Sequence, residues 1–163
     1  MTNPLLTPFE LPPFSSIKPE HVVPAVTKAL EDCRAQVEAV VGRGAPYSWE
    51  SLCQPLAETD DRLGRIFSPI SHLNSVKNSP ELREAYEQTL PLLSEYSTWV
   101  GQHEGLYQAY RDLRDGENYA KLDTAQKKAV DNALRDFELS GIGLPKEKQK
   151  RYGEIAARLS ELG

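Results

Sequence analysis

Apolar side chains recur at three- and four-residue steps along most of this chain, and that spacing is the strongest constraint on its fold. It places apolar groups on one face of an α-helix. Clear two-residue alternation, which would indicate half-buried strands, is absent from the sequence. One of the clearest examples is the set Val23, Val26, Leu30, Cys33, Val37 and Val40. The sequence therefore predicts an all-α fold, an antiparallel multi-helix array.

The first predicted helix opens at Pro19, because proline suits a first helical turn and the adjacent Glu20 carries the charge that a helix N-terminus favours. Pro24 kinks or shifts this start. Gly42 and Gly44 are expected to end the helix, with Gly42 the candidate for the residue just past its last turn.

The second predicted segment begins at Ser48, a good N-cap residue. Pro55 and Pro69 interrupt its apolar stripe, and a proline removes a backbone hydrogen bond and clashes with the previous helical turn. We therefore expect two bent helices or one strongly kinked helix, ending near residues 74–78.

Ser79 and Pro80 together are the clearest helix start in the sequence, a cap followed by proline. The apolar pattern that follows is too long for a compact domain of this size, so we expect a break, with Gly101 the best candidate and Pro91 a second possible bend. Asp123 then caps a further helix.

The last predicted turn contains Gly141 and Gly143, which we expect to adopt positive φ. Pro145 opens the final helix, and its pattern is still running at Gly163, so we expect the chain to be truncated within it. The side chains predicted to face inward from this helix are Tyr152, Ile155, Ala156 and Leu159.

Residues 1–18 differ in composition from the rest, because four prolines interrupt them. Proline fixes φ and lacks an N–H, so this arm is predicted to be extended or turned. Phe9, Leu11 and Phe14 favour packing along the body over the alternative, a disordered tail. The predicted organisation is an arm, residues 1–18, packed on a helical domain, residues 19–163.

The formal net charge of −5 argues against broad attraction to nucleic acid or anionic membranes. Cys33 and Cys53 form neither a C-x-x-C pair nor a disulfide framework, which fits a reducing compartment. The N-terminus has no basic region followed by an apolar run, so we predict a cytoplasmic protein. One basic cluster is interpreted as a solvated helix face: Lys146, Lys148, Lys150, Arg151 and Arg158.

Catalytic zinc needs three protein ligands and an open position, and the chain has only three histidines, His21, His72 and His103. The helical zinc motif His-Glu-x-x-His has two histidines on one helix face. His103-Glu104 begins like this motif, but Tyr107 occupies the place of the second histidine. We therefore expect all three histidines to be structural.

The remaining candidate groups favour packing or solvation over chemistry. Asp60 and Asp61 are neighbours on a helix and point in different directions, so they are a poor acid–base pair and are expected to face solvent. No glycine-rich stretch matches a phosphate loop. The aromatics would form either core packing, the favoured interpretation, or in part a peptide-binding face: Tyr96, Trp99, Tyr107, Tyr110 and Tyr119.

Several stretches, in this order and spacing, resemble the N-terminal part of the thimet oligopeptidase family of zinc metallopeptidases. The most informative is residues 135–145, which ends one helix with two glycines and opens the next with a proline. The other stretches are residues 3–6 (Asn-Pro-Leu-Leu), 17–25 (Ile-Lys-Pro-Glu-His-Val-Val-Pro-Ala), 75–83 (Ser-Val-Lys-Asn-Ser-Pro-Glu-Leu-Arg), 134–141 (Leu-Arg-Asp-Phe-Glu-Leu-Ser-Gly) and the helix with Ile155 and Leu159. The likeness covers essentially all of residues 1–163.

The resemblance implies a parent zinc endopeptidase that hydrolyses short peptides in a deep channel between two helical lobes. This chain would supply part of the N-terminal lobe and one channel wall, and its partners would be the catalytic lobe and short peptides. The family's His-Glu-x-x-His motif is missing here, so no catalytic or metal-binding residue is assigned, His103 and Glu104 included, and the substrate-binding residues are unknown. The chain alone is therefore predicted to be inactive, with zinc a cofactor of the parent only.

Two alternatives stay open from the sequence. The first is a stand-alone helical module that binds a partner helix or an extended peptide in a groove. The second is an independent hydrolase whose site assembles in space from residues distant in sequence.

Overall fold

The computed structural model describes residues 2–162, and within them it contains six α-helices and no strand. The all-α prediction is confirmed. Met1 and Gly163 lie outside the described residues, and so does the point at which we expected the last helix still to be running. The helices are α1 Pro19–Arg43, α2 Gln54–Val76, α3 Pro80–Gly101, α4 Glu104–Asp115, α5 Thr124–Leu139 and α6 Lys146–Leu162.

Helix α1 organises the first part of the core, because it packs against both α2 and α3. Val22, rather than Val23, takes the fully buried position near its start, and Val26 and Cys33 continue the buried stripe. Ile70 of α2 is fully buried against this cluster. Apolar burial of this kind is the main favourable term in folding.

A second apolar cluster joins the C-terminal half of α1 to α4 and α5. Its fully buried members include Leu52, Leu113 and Val130. Phe137 of α5 packs between Tyr107 and Tyr110, with ring centroids 5.6 and 5.8 Å away. The two clusters together form a core that runs the length of α1.

Three helix starts predicted from cap residues are confirmed. The Ser79 hydroxyl accepts a hydrogen bond from the Leu82 N–H at 3.1 Å, and the Asp123 carboxylate accepts one from the Gln126 N–H at 2.8 Å. Ser48 caps a single π-helical turn, Trp49–Cys53, that leads into α2. Each cap satisfies a backbone donor that the helix itself leaves free.

Two glycine predictions are wrong in part. Helix α1 continues through Gly42 and ends at Arg43, and Gly44, with φ of 76°, is the residue that leaves the helix. At the last turn only Gly141 has positive φ, at 84°, and Gly143 does not. Nothing would touch a Cβ at Gly42 or Gly143, so neither position requires glycine for space.

The prolines do not divide the second segment into two helices. Residues 49–76 form one π-helical turn and one helix, because Pro55 falls in the first turn of α2, where its missing N–H is not needed. Pro69 and Pro91 lie inside α2 and α3, and both helices continue through them. The predicted end near residues 74–78 is confirmed at Val76.

The predicted break at Gly101 is confirmed, and it marks a close approach between α3 and the end of α5. A Cβ built at Gly101 would lie 2.6 Å from the Ser140 Oγ and 2.7 Å from its Cβ. Next to it, the Gln102 side-chain amide donates to the Ser140 carbonyl oxygen at 3.0 Å and to the Gln149 carbonyl oxygen at 3.3 Å. This joint fixes α3 against the start of α6.

The prediction that Ile155 and Leu159 face inward is wrong, because both are exposed. Helix α6 packs on α3 through a different face, where a Cβ at Gly153 would meet the Thr98 methyl group at 3.4 Å. Gln149 lies on that face and is buried. Its burial is tolerated because its side-chain amide donates to the Ile142 carbonyl oxygen at 3.0 Å. A polar residue thus occupies a core position that an apolar pattern does not reveal.

The N-terminal segment contacts the helices at defined points. Leu5 is buried in the first apolar cluster, and the Asn3 side-chain amide donates to the His21 carbonyl oxygen at 2.8 Å. The Arg65 guanidinium donates to the Phe9 carbonyl oxygen and lies over its ring, whereas Leu11 is exposed. The division into an arm and a domain at residue 18 stays a prediction.

Among residues 2–162, no helix combines the length and the apolar composition that crossing a membrane requires.

Candidate functional site

His103 is held by two hydrogen bonds that use both of its ring nitrogens. Its Nδ1 accepts from the Leu106 N–H at 3.0 Å and so caps α4, and its Nε2 lies 3.1 Å from a carboxylate oxygen of Glu38. Since Nδ1 accepts, Nε2 carries the proton and donates to Glu38. Both nitrogens therefore have protein partners, as a structural histidine would.

The other two histidines lie on separate elements. The Nδ1 of His21 accepts from the Lys18 N–H at 3.1 Å at the start of α1. The His72 ring, on α2, packs against Phe14 with centroids 5.5 Å apart. Within residues 2–162, no three His, Cys, Asp or Glu side chains are grouped as metal ligands would be.

A catalytic zinc requires three protein ligands that converge on one point, and the three histidines of the described part of the chain do not converge. Glu104, next to His103 in the incomplete motif, pairs instead with Lys146 at 2.6 Å. The hydrogen bond and charge of Lys146 lower the pKa of the Glu104 carboxyl. This exposed pair stabilises the fold at pH values above the ordinary pKa of a glutamate. The stabilisation is lost as the pH falls through the lowered pKa of Glu104.

The basic cluster is a solvated helix face, as predicted. Beyond Lys146, its Arg151 pairs with Glu154 at 3.0 Å and its Arg158 pairs with Glu161 at 2.8 Å, all in exposed positions. Pairs of this kind stabilise a helix by only about 0.2–0.5 kcal/mol each.

Asp60 and Asp61 point to different clefts, as their adjacent helix positions predict. Asp61 borders a cleft between α2 and the N-terminal segment, together with Phe9 and His72. Asp60 borders a separate groove on the other side of α2. The two carboxylates therefore do not form a catalytic pair.

The groove beside Asp60 combines an apolar floor with charged side chains, which makes it a candidate binding site, and we call it the α2–α5 groove. Its volume is about 350 Å³, and it is open to solvent. Its apolar floor includes Val37, Leu106 and Phe137, which are buried. Two carboxylates, Asp60 on α2 and Asp136 on α5, lie at its exposed rim.

Two tyrosines also line the groove, and each lies beside a buried cysteine. Burial raises the pKa of both phenols, Tyr96 near Cys33 and Tyr110 near Cys53. Burial likewise raises the pKa of the Cys33 thiol, and that of the Cys53 thiol to about 11. Both cysteines are free and buried, so they are protonated thiols and poor nucleophiles at neutral pH.

Burial against the groove wall raises the pKa of Asp60 as well. Folding therefore disfavours the charged form of Asp60. At pH values above the folded-state pKa the ionised carboxylate lowers the free energy of unfolding, and in acid, where the carboxyl is protonated, this effect disappears. We expect Asp60→Asn to raise the free energy of unfolding at pH 7 by up to about 0.5 kcal/mol. Urea unfolding at pH 7 and below about pH 3 measures this gain, which should vanish in acid. A gain of equal size at both pH values would contradict the pKa shift.

Comparison with known proteins decides the family. The sequence model of the "Neurolysin/Thimet oligopeptidase, N-terminal domain" matches residues 23–149, more than half of the chain. The chain belongs to the thimet oligopeptidase family. The resemblance seen in the sequence is confirmed, and the six helices are those of the family's N-terminal domain.

Individual members of the family match over the whole chain. Oligopeptidase A from Salmonella typhimurium is 89% identical over 163 residues, and oligopeptidase A from Escherichia coli is 88% identical over the same length. The probable cytosolic oligopeptidase A of Arabidopsis thaliana is 33% identical over 161 residues, 99% of the chain and 23% of the relative. Each of these two bacterial matches covers 100% of this chain but only 24% of the relative, so the chain spans about a quarter of their length.

Sequence reasoning found the family but did not find the α2–α5 groove. It assigned Tyr96 and Tyr110 to core packing, with a peptide-binding face as the alternative. It expected Asp60 to face solvent and did not single out Asp136. No local signal joins these residues, because α2 and α5 are separated by two other helices in the chain.

Proposed function

We propose that this chain is the non-catalytic N-terminal domain of an oligopeptidase A-like zinc metalloendopeptidase that hydrolyses short peptides. The observation that supports this most is the 89% identity to oligopeptidase A of Salmonella typhimurium, which extends across the whole chain. The same match covers only 24% of that relative, so most of such a protein lies outside this sequence.

In this proposal the helices form one wall of the peptide channel and the reacting groups belong to the rest of the polypeptide. The three histidines support this division, because each lies on a different element and makes packing or capping contacts here. Zinc would be held by residues of the remaining polypeptide, and none of its ligands would come from this chain.

The remaining polypeptide is also the partner that we propose for the exposed face of α6. Ile155, Leu159 and Leu162 are exposed and lie at helical spacing, which places them on one face. Their face differs from the one that packs on α3. Burial of three such side chains against another lobe would contribute about 1.5–3 kcal/mol each.

We further propose a cytoplasmic location. Cys33 and Cys53 are free and buried, as thiols are in a reducing compartment. The Arabidopsis relative described as a probable cytosolic oligopeptidase A has the same domain.

Reading the source gene past Gly163 tests the proposed function. We expect several hundred further codons that include His-Glu-x-x-His and a later acidic ligand. A frame that continues without the motif would contradict a zinc peptidase. A stop codon directly after Gly163 would favour the stand-alone helical module instead, although the roughly fourfold greater length of the relatives argues against it.

A further inference from the structure

We propose that the α2–α5 groove binds a basic side chain of a peptide, lysine or arginine, with an adjacent apolar residue of that peptide on the groove floor. Asp60 and Asp136 would receive the cation. The proposal concerns equilibrium binding, so it stands apart from whether the parent protein cleaves peptides.

The two carboxylates come from different helices and are both available. No Lys, Arg or His nitrogen within residues 2–162 lies within 4 Å of Asp60 or Asp136. By contrast, Asp131, which is also on α5, pairs with Arg114 at 2.7 Å. The groove therefore presents unneutralised negative charge at its rim.

The remainder of the groove selects the type of cation. Its volume of about 350 Å³ falls within the range of ligand pockets, about 300–1,000 Å³. Its floor is apolar, and Tyr96 and Tyr110 line its wall. The Arg34 guanidinium already lies 5.7 Å from the centre of the Tyr96 ring, so the cation of a ligand would meet the ring of Tyr110. Aromatic rings attract cations, and an apolar floor accommodates the methylene stem of lysine or arginine. A small hydrated cation has no apolar stem and would make no favourable contact with the groove floor.

Asp60 is exposed at the rim but partly desolvated by the groove, which raises its pKa, so solvent reduces but does not remove the cost of its ionised form to the fold. An asparagine would fit the same position without that cost. A position that retains a destabilising charge at the rim of a cavity is typical of a binding site, where a ligand of opposite charge offsets the cost.

A titration of the isotopically labelled 163-residue chain with acetyl-Leu-Lys-Leu-amide, followed by NMR, tests the proposal. We expect millimolar binding, and we expect the shifted backbone amides to cluster at Ser97, Gly101 and Ser140, which line the groove. The matched probe has norleucine in place of lysine and should bind about tenfold more weakly, because it keeps the apolar stem and loses the charge.

Two single variants and one control show which carboxylates bind the lysine side chain of the peptide. Asp60→Asn and Asp136→Asn should each weaken binding about threefold, and together about tenfold, as expected for independent partly exposed ion pairs. Asp61→Asn is the matched control, because it removes one negative charge from the neighbouring residue, which faces the other cleft, and should leave the affinity unchanged.

Three results of the peptide titrations would overturn the proposal: equal binding of the lysine and norleucine probes, an equal loss of affinity in Asp61→Asn, or shifts that map outside the groove. Shifts that appear with protein concentration alone would show that a second copy occupies the groove, and would also overturn it. An unchanged dispersion of amide signals in each variant shows that a loss of binding is not a loss of fold.

Discussion

Leu113→Ala is expected to lower the free energy of unfolding by about 2–5 kcal/mol. Leu113 lies in the last turn of α4 and is fully buried in the second apolar cluster, so its truncation leaves a cavity that the neighbouring helices cannot fill without moving. Urea unfolding followed by far-ultraviolet circular dichroism measures the change. In a domain of marginal stability this is a large fraction of the total.

Leu159→Ala is the matched control, because it makes the same chemical change on a helix surface. Leu159 is 64% exposed, so the change in this chain should stay within about 0.5 kcal/mol. In the whole protein the same substitution should cost clearly more if another lobe covers α6. Equal costs for Leu113→Ala and Leu159→Ala in this chain would contradict the core described here.

Gly101→Ala is expected to destabilise the chain by about 1–3 kcal/mol, although alanine is normally the better helix former. The new Cβ would lie 2.6 Å from the Ser140 Oγ and 2.7 Å from its Cβ, both too close for atoms that are not bonded. Rotation of the serine hydroxyl relieves only the first contact, so the end of α5 must move away from α3. Thermal unfolding measures the loss.

Gly42→Ala is the control for backbone effects, because Gly42 lies near the end of α1 and nothing would touch its Cβ. We expect it to stabilise the chain by about 0.5–1 kcal/mol. Ser140→Gly removes both atoms of the clash, so it should restore most of the stability that Gly101→Ala loses. If Gly101→Ala alone stabilises the chain, as Gly42→Ala should, α3 and α5 do not approach as closely as described.

The sequence predicts the helices best where a local chemical rule determines the outcome. The caps at Ser79 and Asp123 depend on residues close in sequence, and both are confirmed. The break at Gly101, expected because the apolar pattern is too long for one helix of a compact domain, is confirmed as well. The helix end at Gly42 and the positive φ at Gly143 were assigned from residue type alone. They were wrong because the φ angle of a glycine depends on where the following residues pack, which its neighbours in sequence do not determine.

Long-range packing explains what the sequence could not predict. The apolar residues of α6 indicated an inward face through Ile155 and Leu159, but Gln149 and Gly153 contact the body instead. Gln149 can be buried only because the Ile142 carbonyl oxygen accepts its amide, a contact made by the fold. The α2–α5 groove is hidden for the same reason, since its walls come from helices far apart in sequence.

Peptide turnover by the purified chain, measured beside the whole protein from the same gene, tests most directly whether this domain is non-catalytic. Internally quenched fluorogenic oligopeptides, with zinc present, give the rate for both proteins. We predict that the whole protein cleaves them and stops when a chelator is added, and that the 163-residue chain gives no turnover above buffer. The opposite result is cleavage of the peptides by the chain alone, at a rate that is proportional to its concentration and persists through purification. That result would contradict the proposal that this domain is non-catalytic.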